Sequence, residues 1–172
     1  MNHLGLYYGH KIITMQRKAL GLCVAVLMAI ASVGCTGVND SYSRFYTMPQ
    51  QGWAVKTPLH FSPDSLNDQD LYDIKVAVRY TPQYPYRNLS LAVDLISEEG
   101  KAKRYLLDFA VADAHGNWLG KGFGSFYQCE RLLAQGLSHK LFKRVVVWNG
   151  MQTDDILPGV NDVGIIITRS SK

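Results

Sequence analysis

Large apolar residues fall on every second position at Ile74, Val76, Val78 and Tyr80, with Lys75, Ala77 and Arg79 between them. A period of two puts one side of a strand on a core and the other in water. Leu89, Leu91, Val93 and Leu95 repeat it, with Ser90 and Asp94 outside. Tyr105, Leu107, Phe109 and Val111 repeat it again, with Arg104 and Asp108 outside. Phe142–Trp148 and Val163–Thr168 are denser β-branched runs, which predicts strands buried on both faces. Trp53–Phe61 predicts one or two edge strands. Breaks separate these runs: Thr81-Pro82 and Tyr84-Pro85, the Glu98-Glu99-Gly100-Lys101 turn, Asp113–Asn117, and Pro158-Gly159. Short strands at such spacing predict an all-β domain, a single jelly-roll-like β-sandwich. Two segments read differently. Cys129–Gln135 has helical propensity, and Asp154–Leu157 has the composition of one helical turn.

Upstream of the strands the pattern changes. Arg17 and Lys18 precede an uncharged stretch, Ala19–Val33, that ends in small residues and Gly34-Cys35. A basic region, a short apolar region and a small-residue end make a secretory signal. A cysteine directly after it makes a bacterial lipoprotein signal, cleaved before Cys35, which is then acylated. The apolar stretch falls short of the roughly 20 residues that cross a bilayer. An uncleaved membrane anchor is the competing reading, and Ser32 stands where a leucine is usual. Met15 opens a well-formed signal by itself and is the expected start. The expected organisation is therefore a signal over 1–34, a lipidated tether over 35–44, and the sandwich over 45–170.

Removing the signal changes the charge. Residues 1–34 hold three of the 18 basic side chains and none of the 14 acidic ones, so the remainder has a formal charge of +1. No clustered basic face is left to suggest nucleic acid as a partner. Cys129 is the last cysteine after Cys23 and Cys35, so no disulfide within the mature chain is expected. The roughly 138 remaining residues are one domain's length and can bury an adequate core.

Candidate chemistry is sparse. Asp113–Gly124 holds four glycines and Lys121. It is not a phosphate-binding loop, because Gly116 and Gly120 enclose three residues rather than four and Gly122, not Ser or Thr, follows the lysine. Two readings stay open: a glycine-rich connection with Trp118 plugging the core, or a partner surface of Trp118, Lys121 and Phe123. Tyr80, Tyr84, Tyr86 and Trp118 are either packed with Pro82 and Pro85 as a structured loop, or present a protein interface, or form a stacking platform for glycans. His60, His115 and His139 read as surface or turn residues at no metal-ligand spacing. Cys129 and His139 are a formal nucleophile–base pair of low specificity. No metal, cofactor or catalytic residue is expected.

The segments Tyr84-Pro85-Tyr86-Arg87-Asn88-Leu89, Leu91–Leu95, Asp113–Gly124 and Leu157–Gly164 occur in this order behind an acylatable cysteine, Phe45 and Gly52-Trp53. In this the chain resembles the GldH gliding motility lipoproteins of the Bacteroidetes. The resemblance spans nearly all of the mature chain. One stretch departs from it: between Phe126 and Phe142 the expected extended segment is not apparent. The resemblance implies a lipid-anchored, non-enzymatic accessory of the gliding machinery and type IX secretion system. It implies other envelope lipoproteins or machinery proteins as partners. Only the acylated cysteine carries over as a site. With Thr36 after Cys35, the expected location is the outer membrane, facing the periplasm. A glycan-binding envelope lipoprotein is the alternative.

Overall fold

The computed structural model describes residues 41–151 and 155–171. Cys35 and the signal segment lie outside the described residues. The strands are β1 (Ser41–Thr47), β2 (Trp53–Ala54), β3 (Leu59–Phe61), β4 (Leu71–Tyr80), β5 (Asn88–Ile96), β6 (Ala102–Ala110), β7 (Lys121–Phe123), β8 (Phe126–Ser138), β9 (Arg144–Asn149), β10 (Ile156–Leu157) and β11 (Val160–Arg169). A five-stranded sheet has the order β1-β11-β4-β8-β7, and a four-stranded sheet has the order β3-β9-β5-β6. The small β2–β10 ladder forms a separate pair. Every pairing is antiparallel.

The alternation places the core as expected. Ile74, Val76, Val78 and Tyr80 of β4 are fully buried. They face Leu89, Leu91, Val93 and Leu95 of β5, all buried in the same apolar cluster. Rings join the two sheets: Tyr46 of β1 meets Phe61 of β3 at 4.9 Å, and Tyr72 of β4 meets Phe142 at 6.2 Å. The chain is an all-β sandwich.

Four expectations change. Cys129–Gln135 is not helical but the middle of β8, paired along β4 from Leu71↔Ser138 to Tyr80↔Tyr127. Helix propensity differs between residues by only a few tenths of a kcal/mol, and a seven-residue helix does not hold alone in water. A full ladder to a buried strand outweighs it. This is also the extended segment missing between Phe126 and Phe142. Of the expected turn at Asp154–Leu157, Asp154 lies outside the described residues, and Ile156-Leu157 is β10, paired with Trp53-Ala54. Ser41–Arg44, read as tether, belong to β1, where Ser41 pairs with Thr168 and Arg44 with Ile165. Their polarity is that of an edge strand with one wet face. His139 is a turn residue, as one of its two expected placements has it, but not a surface one. It is 1% exposed, in a 3₁₀ turn (His139–Leu141), with Nδ1 2.8 Å from Asp68 Oδ1.

The outer face of the smaller sheet holds one built polar cluster. Asp94 is 9% exposed. Arg104 donates to its Oδ1 through Nε and to its Oδ2 through Nη2, both at 2.7 Å, and Trp148 Nε1 donates to Oδ2 at 2.9 Å. The Arg104 bonds, then the Trp148 bond, hold the Asp94 carboxyl below its usual range against the opposing effect of burial. A carboxylate whose pKa is depressed by folding adds stability above its unfolded pKa of about 3.9 and loses it as pH falls through the folded value. Asp94→Asn is therefore expected to lower the urea midpoint at pH 7, by about 1–3 kcal/mol of stability. The deficit shrinks as pH falls below about 4. A deficit that stays constant with pH would refute this role for the charge.

Candidate functional site

The strands define two poles. Ser41 lies at one end with Arg169, Tyr72 and Leu137, as the registers Ser41↔Thr168, Arg169↔Tyr72 and Tyr72↔Leu137 require. The other end carries Thr47, Asp162, Tyr80 and Tyr127. Ten residues of β4 separate the ends by about 33 Å. The 81–87 loop, the Asp113–Gly124 loop and the Pro158-Gly159 turn lie at this far pole. All three contain residues that the sequence singles out.

Tyr80 ends β4 at the centre of this pole. Its ring lies 5.6 Å from Trp118, 6.3 Å from Tyr84 and 5.9 Å, stacked, from Tyr127. Trp118 meets Tyr127 at 6.2 Å, and Tyr86 meets Tyr84 edge-on at 5.8 Å. The Tyr80 hydroxyl sits against the carbonyls of Leu119 and Val111, the latter at 3.0 Å, with Cys129 Sγ at 3.5 Å. Burial, then the Cys129 thiol, pushes the Tyr80 phenol far up, so it stays a neutral donor. Tyr84 Oη donates to Asn88 O at 2.7 Å, and burial also raises its pKa.

The candidate residues therefore separate. Tyr84 is 2% exposed and belongs to the core, which removes it from any partner or ligand surface. Trp118 is half-buried and packs against Tyr80 and Tyr127, so it plugs the end of the sandwich and is not a free stacking platform. Tyr86 is half-buried beside Tyr84. Lys121, which opens β7, is exposed. Phe123 pairs with Phe126 across the β7–β8 hairpin, and the expectation for its side chain lies outside what the structure describes. Leu119, 38% exposed, was not singled out by the sequence. A leucine between tryptophan and glycine carries no signal of exposure.

Short-range chemistry shapes the same loops. Asp113 Oδ1 accepts from the backbone N–H of His115 at 2.8 Å and of Asn117 at 2.9 Å, and Oδ2 accepts from Asn117 Nδ2 at 2.8 Å. Those bonds, the Asn117 side chain's first, lower the Asp113 pKa. Gly120 takes φ +103, and a Cβ there would lie 2.6 Å from Gln128 O. Gly164, in β11, leaves room for the Phe45 ring, with the Arg79 guanidinium 4.1 Å above that ring. Asp162 Oδ1 accepts from Thr47 Oγ1 at 2.6 Å, and its Oδ2 lies 3.6 Å from Arg79 Nη1. The motifs therefore mostly hold the fold, and the exposed Leu119 and Lys121 side chains are free to touch another molecule.

The Cys129–His139 pair does not come together. Cys129 pairs with Val78 near the far pole, while His139 follows β8 at the Ser41 pole, about 30 Å along the strand. Among the described residues no group of three or more His, Cys, Asp or Glu could hold a metal ion. No helix among them is long and apolar enough to cross a membrane.

The fold and site define a β-sandwich whose loop pole is plugged by packed aromatic rings. The family described as GldH lipoprotein matches residues 40–167. The chain therefore belongs to the GldH lipoprotein family. It is 23% identical over 165 residues to the gliding motility lipoprotein GldH homolog of Christiangramia forsetii, covering 90% of this chain and 99% of that one. It is 22% identical over 146 residues to the gliding motility lipoprotein GldH of Flavobacterium johnsoniae, covering 85% and 89%. Among solved structures, the Tobacco streak virus coat protein covers 81% of this chain and 93% of its own at 9% identity. Its TM-score of 0.31 is too low to carry an argument.

Proposed function

We propose that the protein is acylated at Cys35 and serves as a non-enzymatic accessory of gliding motility and type IX secretion, on the outer membrane facing the periplasm. The observation that carries this reading is the family match across 40–167, reinforced by two curated relatives named for gliding motility. The two poles give it a geometry. Five residues lie between Cys35 and Ser41, a reach of about 20 Å when extended. The Ser41 pole then lies near the bilayer, and the exposed Leu119 and Lys121 of the far pole are left to meet a protein partner in the envelope. An exposed leucine beside a lysine suits a protein surface better than a sugar, because the aromatic faces a glycan would need are packed on one another.

The test is a deletion strain complemented with wild type or with Leu119→Asp/Lys121→Glu. Both substitutions fall on exposed side chains, so the variant is expected to fold and to reach the membrane. It should fail to co-purify the envelope proteins that accompany wild type, and secretion or gliding should fall several-fold. A deletion strain with normal secretion, normal gliding and unchanged envelope complexes would refute the accessory role. Tight polysaccharide binding by the purified protein, lost in the same variant, would replace it with the glycan reading.

A further inference from the structure

Strand β6 pairs with β5 on one side, and among the described residues no strand pairs with its other side. The direction of its free groups can be read from its neighbours. Arg131 of β8 donates to Asp108 O through Nε at 2.9 Å and Nη2 at 2.7 Å, so this carbonyl points out of the sheet. In an antiparallel ladder the N–H and C=O of one residue point the same way, and successive residues alternate. Arg104, Leu106 and Asp108 therefore all present both groups to the open edge. Val111 agrees with the opposite phase, since its N–H donates inward to Arg87 O.

The side chains on this edge are self-complementary. Leu106 stands on the outer face and is 78% exposed, the most exposed large apolar residue among those described. Arg104 lies two residues before it and Asp108 two after. When a second β6 runs antiparallel with Leu106 opposite Leu106, Arg104 of each strand faces Asp108 of the other, twice by symmetry. All of these are residues whose backbone groups point outward, so the same register satisfies the ladder. On the inner face it sets Tyr105 against Leu107, both half-buried at the rim of the core.

We propose that the protein forms a two-fold dimer through β6, joining two four-stranded sheets into one of eight strands. A contact of this kind is isologous and closes on itself. Long edges with exposed apolar residues are normally blocked. The local deterrents here are compatible with pairing. Lys103 lies over its own Tyr105 ring at 4.9 Å, and the exposed Arg131 guanidinium, whose two N–H groups fill both lone pairs of the Asp108 carbonyl, has to swing off it for the ladder to close at that residue. The Arg104 side chain, although paired with Asp94, remains 59% exposed and can reach across the seam. Beside the end of the strand, an open cleft of about 550 Å³ runs past Phe109, Ala110 and Cys129 and leaves room for the first residues of the incoming β6. The fit of charge to register favours a second copy over an unrelated strand.

The experiment measures sedimentation of the mature acylated protein in detergent over a range of concentrations, with hydrogen exchange on the same samples. Wild type is expected to be a dimer whose Arg104, Leu106 and Asp108 amides gain protection as concentration rises. Leu106→Lys, at a site too exposed to affect folding, places two ammonium groups on the two-fold axis. It should be monomeric at every concentration where wild type is dimeric, with those amides exchanging fast. As a second readout, Leu106→Cys in native envelopes should give a dimer with a short thiol cross-linker, while wild type, with its Cys129 off the axis, should not. A monomeric wild type overturns the proposal. So does a dimer that survives Leu106→Lys, leaves these amides unprotected or gives no Leu106→Cys adduct, as does protection that appears only when another envelope protein is added.

Discussion

Gly159→Ala is expected to remove most of the folded protein, with a loss of more than about 4 kcal/mol. Two effects combine at this turn. Gly159 takes φ +77, where an L-residue is strained by about 1–2 kcal/mol. Its added Cβ would also lie 2.3 Å from Tyr84 N and 2.4 Å from Tyr84 Cα. These are backbone atoms of a segment held by Thr81 N–H donating to Gly159 O at 2.8 Å, Tyr84 N–H donating to Thr81 O at 3.0 Å, and Tyr84 Oη on Asn88 O. Relieving the clash would move the buried Tyr84 and open the aromatic plug. Gly116→Ala is the matched control. It has φ +85, yet nothing lies within 4 Å of its Cβ position, so it should lose only the strain, about 1 kcal/mol. Urea melts of the two variants separate clash from conformation. Equal losses would mean that the packing of Gly159 on Tyr84 contributes nothing.

Cys35→Ala is expected to abolish lipid attachment. One acyl chain holds a protein only marginally to a bilayer, whereas two or more give stable anchoring. Signal processing at a lipoprotein cysteine needs the thiol, so the alanine variant should take up no labelled fatty acid and should keep its signal. It should also be missing from the outer-membrane fraction. Fatty-acid labelling, gel mobility and membrane fractionation check this together. Unchanged labelling and unchanged fractionation would overturn the lipoprotein reading at its first step. Unchanged fractionation with no label in wild type would identify an uncleaved anchor instead.

The strands easiest to read were those whose environment repeats with the backbone. β4, β5 and β11 alternate or run apolar because each has a face on the core, and this local regularity is visible without knowing the partner strand. The Asp113 turn was legible for a similar reason, since an aspartate that bonds backbone N–H groups two and four residues on needs nothing distant. β8 was not legible. Its composition favours a helix, and only the ladder to β4 makes it a strand. β1 was half-missed because an edge strand with Ser41 and Arg44 looks like a polar linker. The candidate site was legible as a set of loops but not in its facing. Proline beside Tyr84 and Tyr86 is equally consistent with a buried plug and an exposed platform, and burial at 2% for Tyr84 is a property of the assembled pole.

Taken alone, the sequence determined the class of this protein: an all-β chain with the motifs of a GldH lipoprotein, preceded by a segment with the composition expected of a lipoprotein signal. Each of these is a local pattern, a composition or an order of motifs, and none requires two distant residues to meet. The tertiary structure alone decided that Tyr84 and Trp118 close the core, that Leu119 and Lys121 are the exposed part of their loop, and that Cys129 and His139 lie at opposite ends of one strand. It also decided that the motif loops stand at the pole opposite Ser41, and that β6 keeps an open edge. These depend on which strands pair and in what register, and pairing is fixed by contacts between residues far apart in the chain.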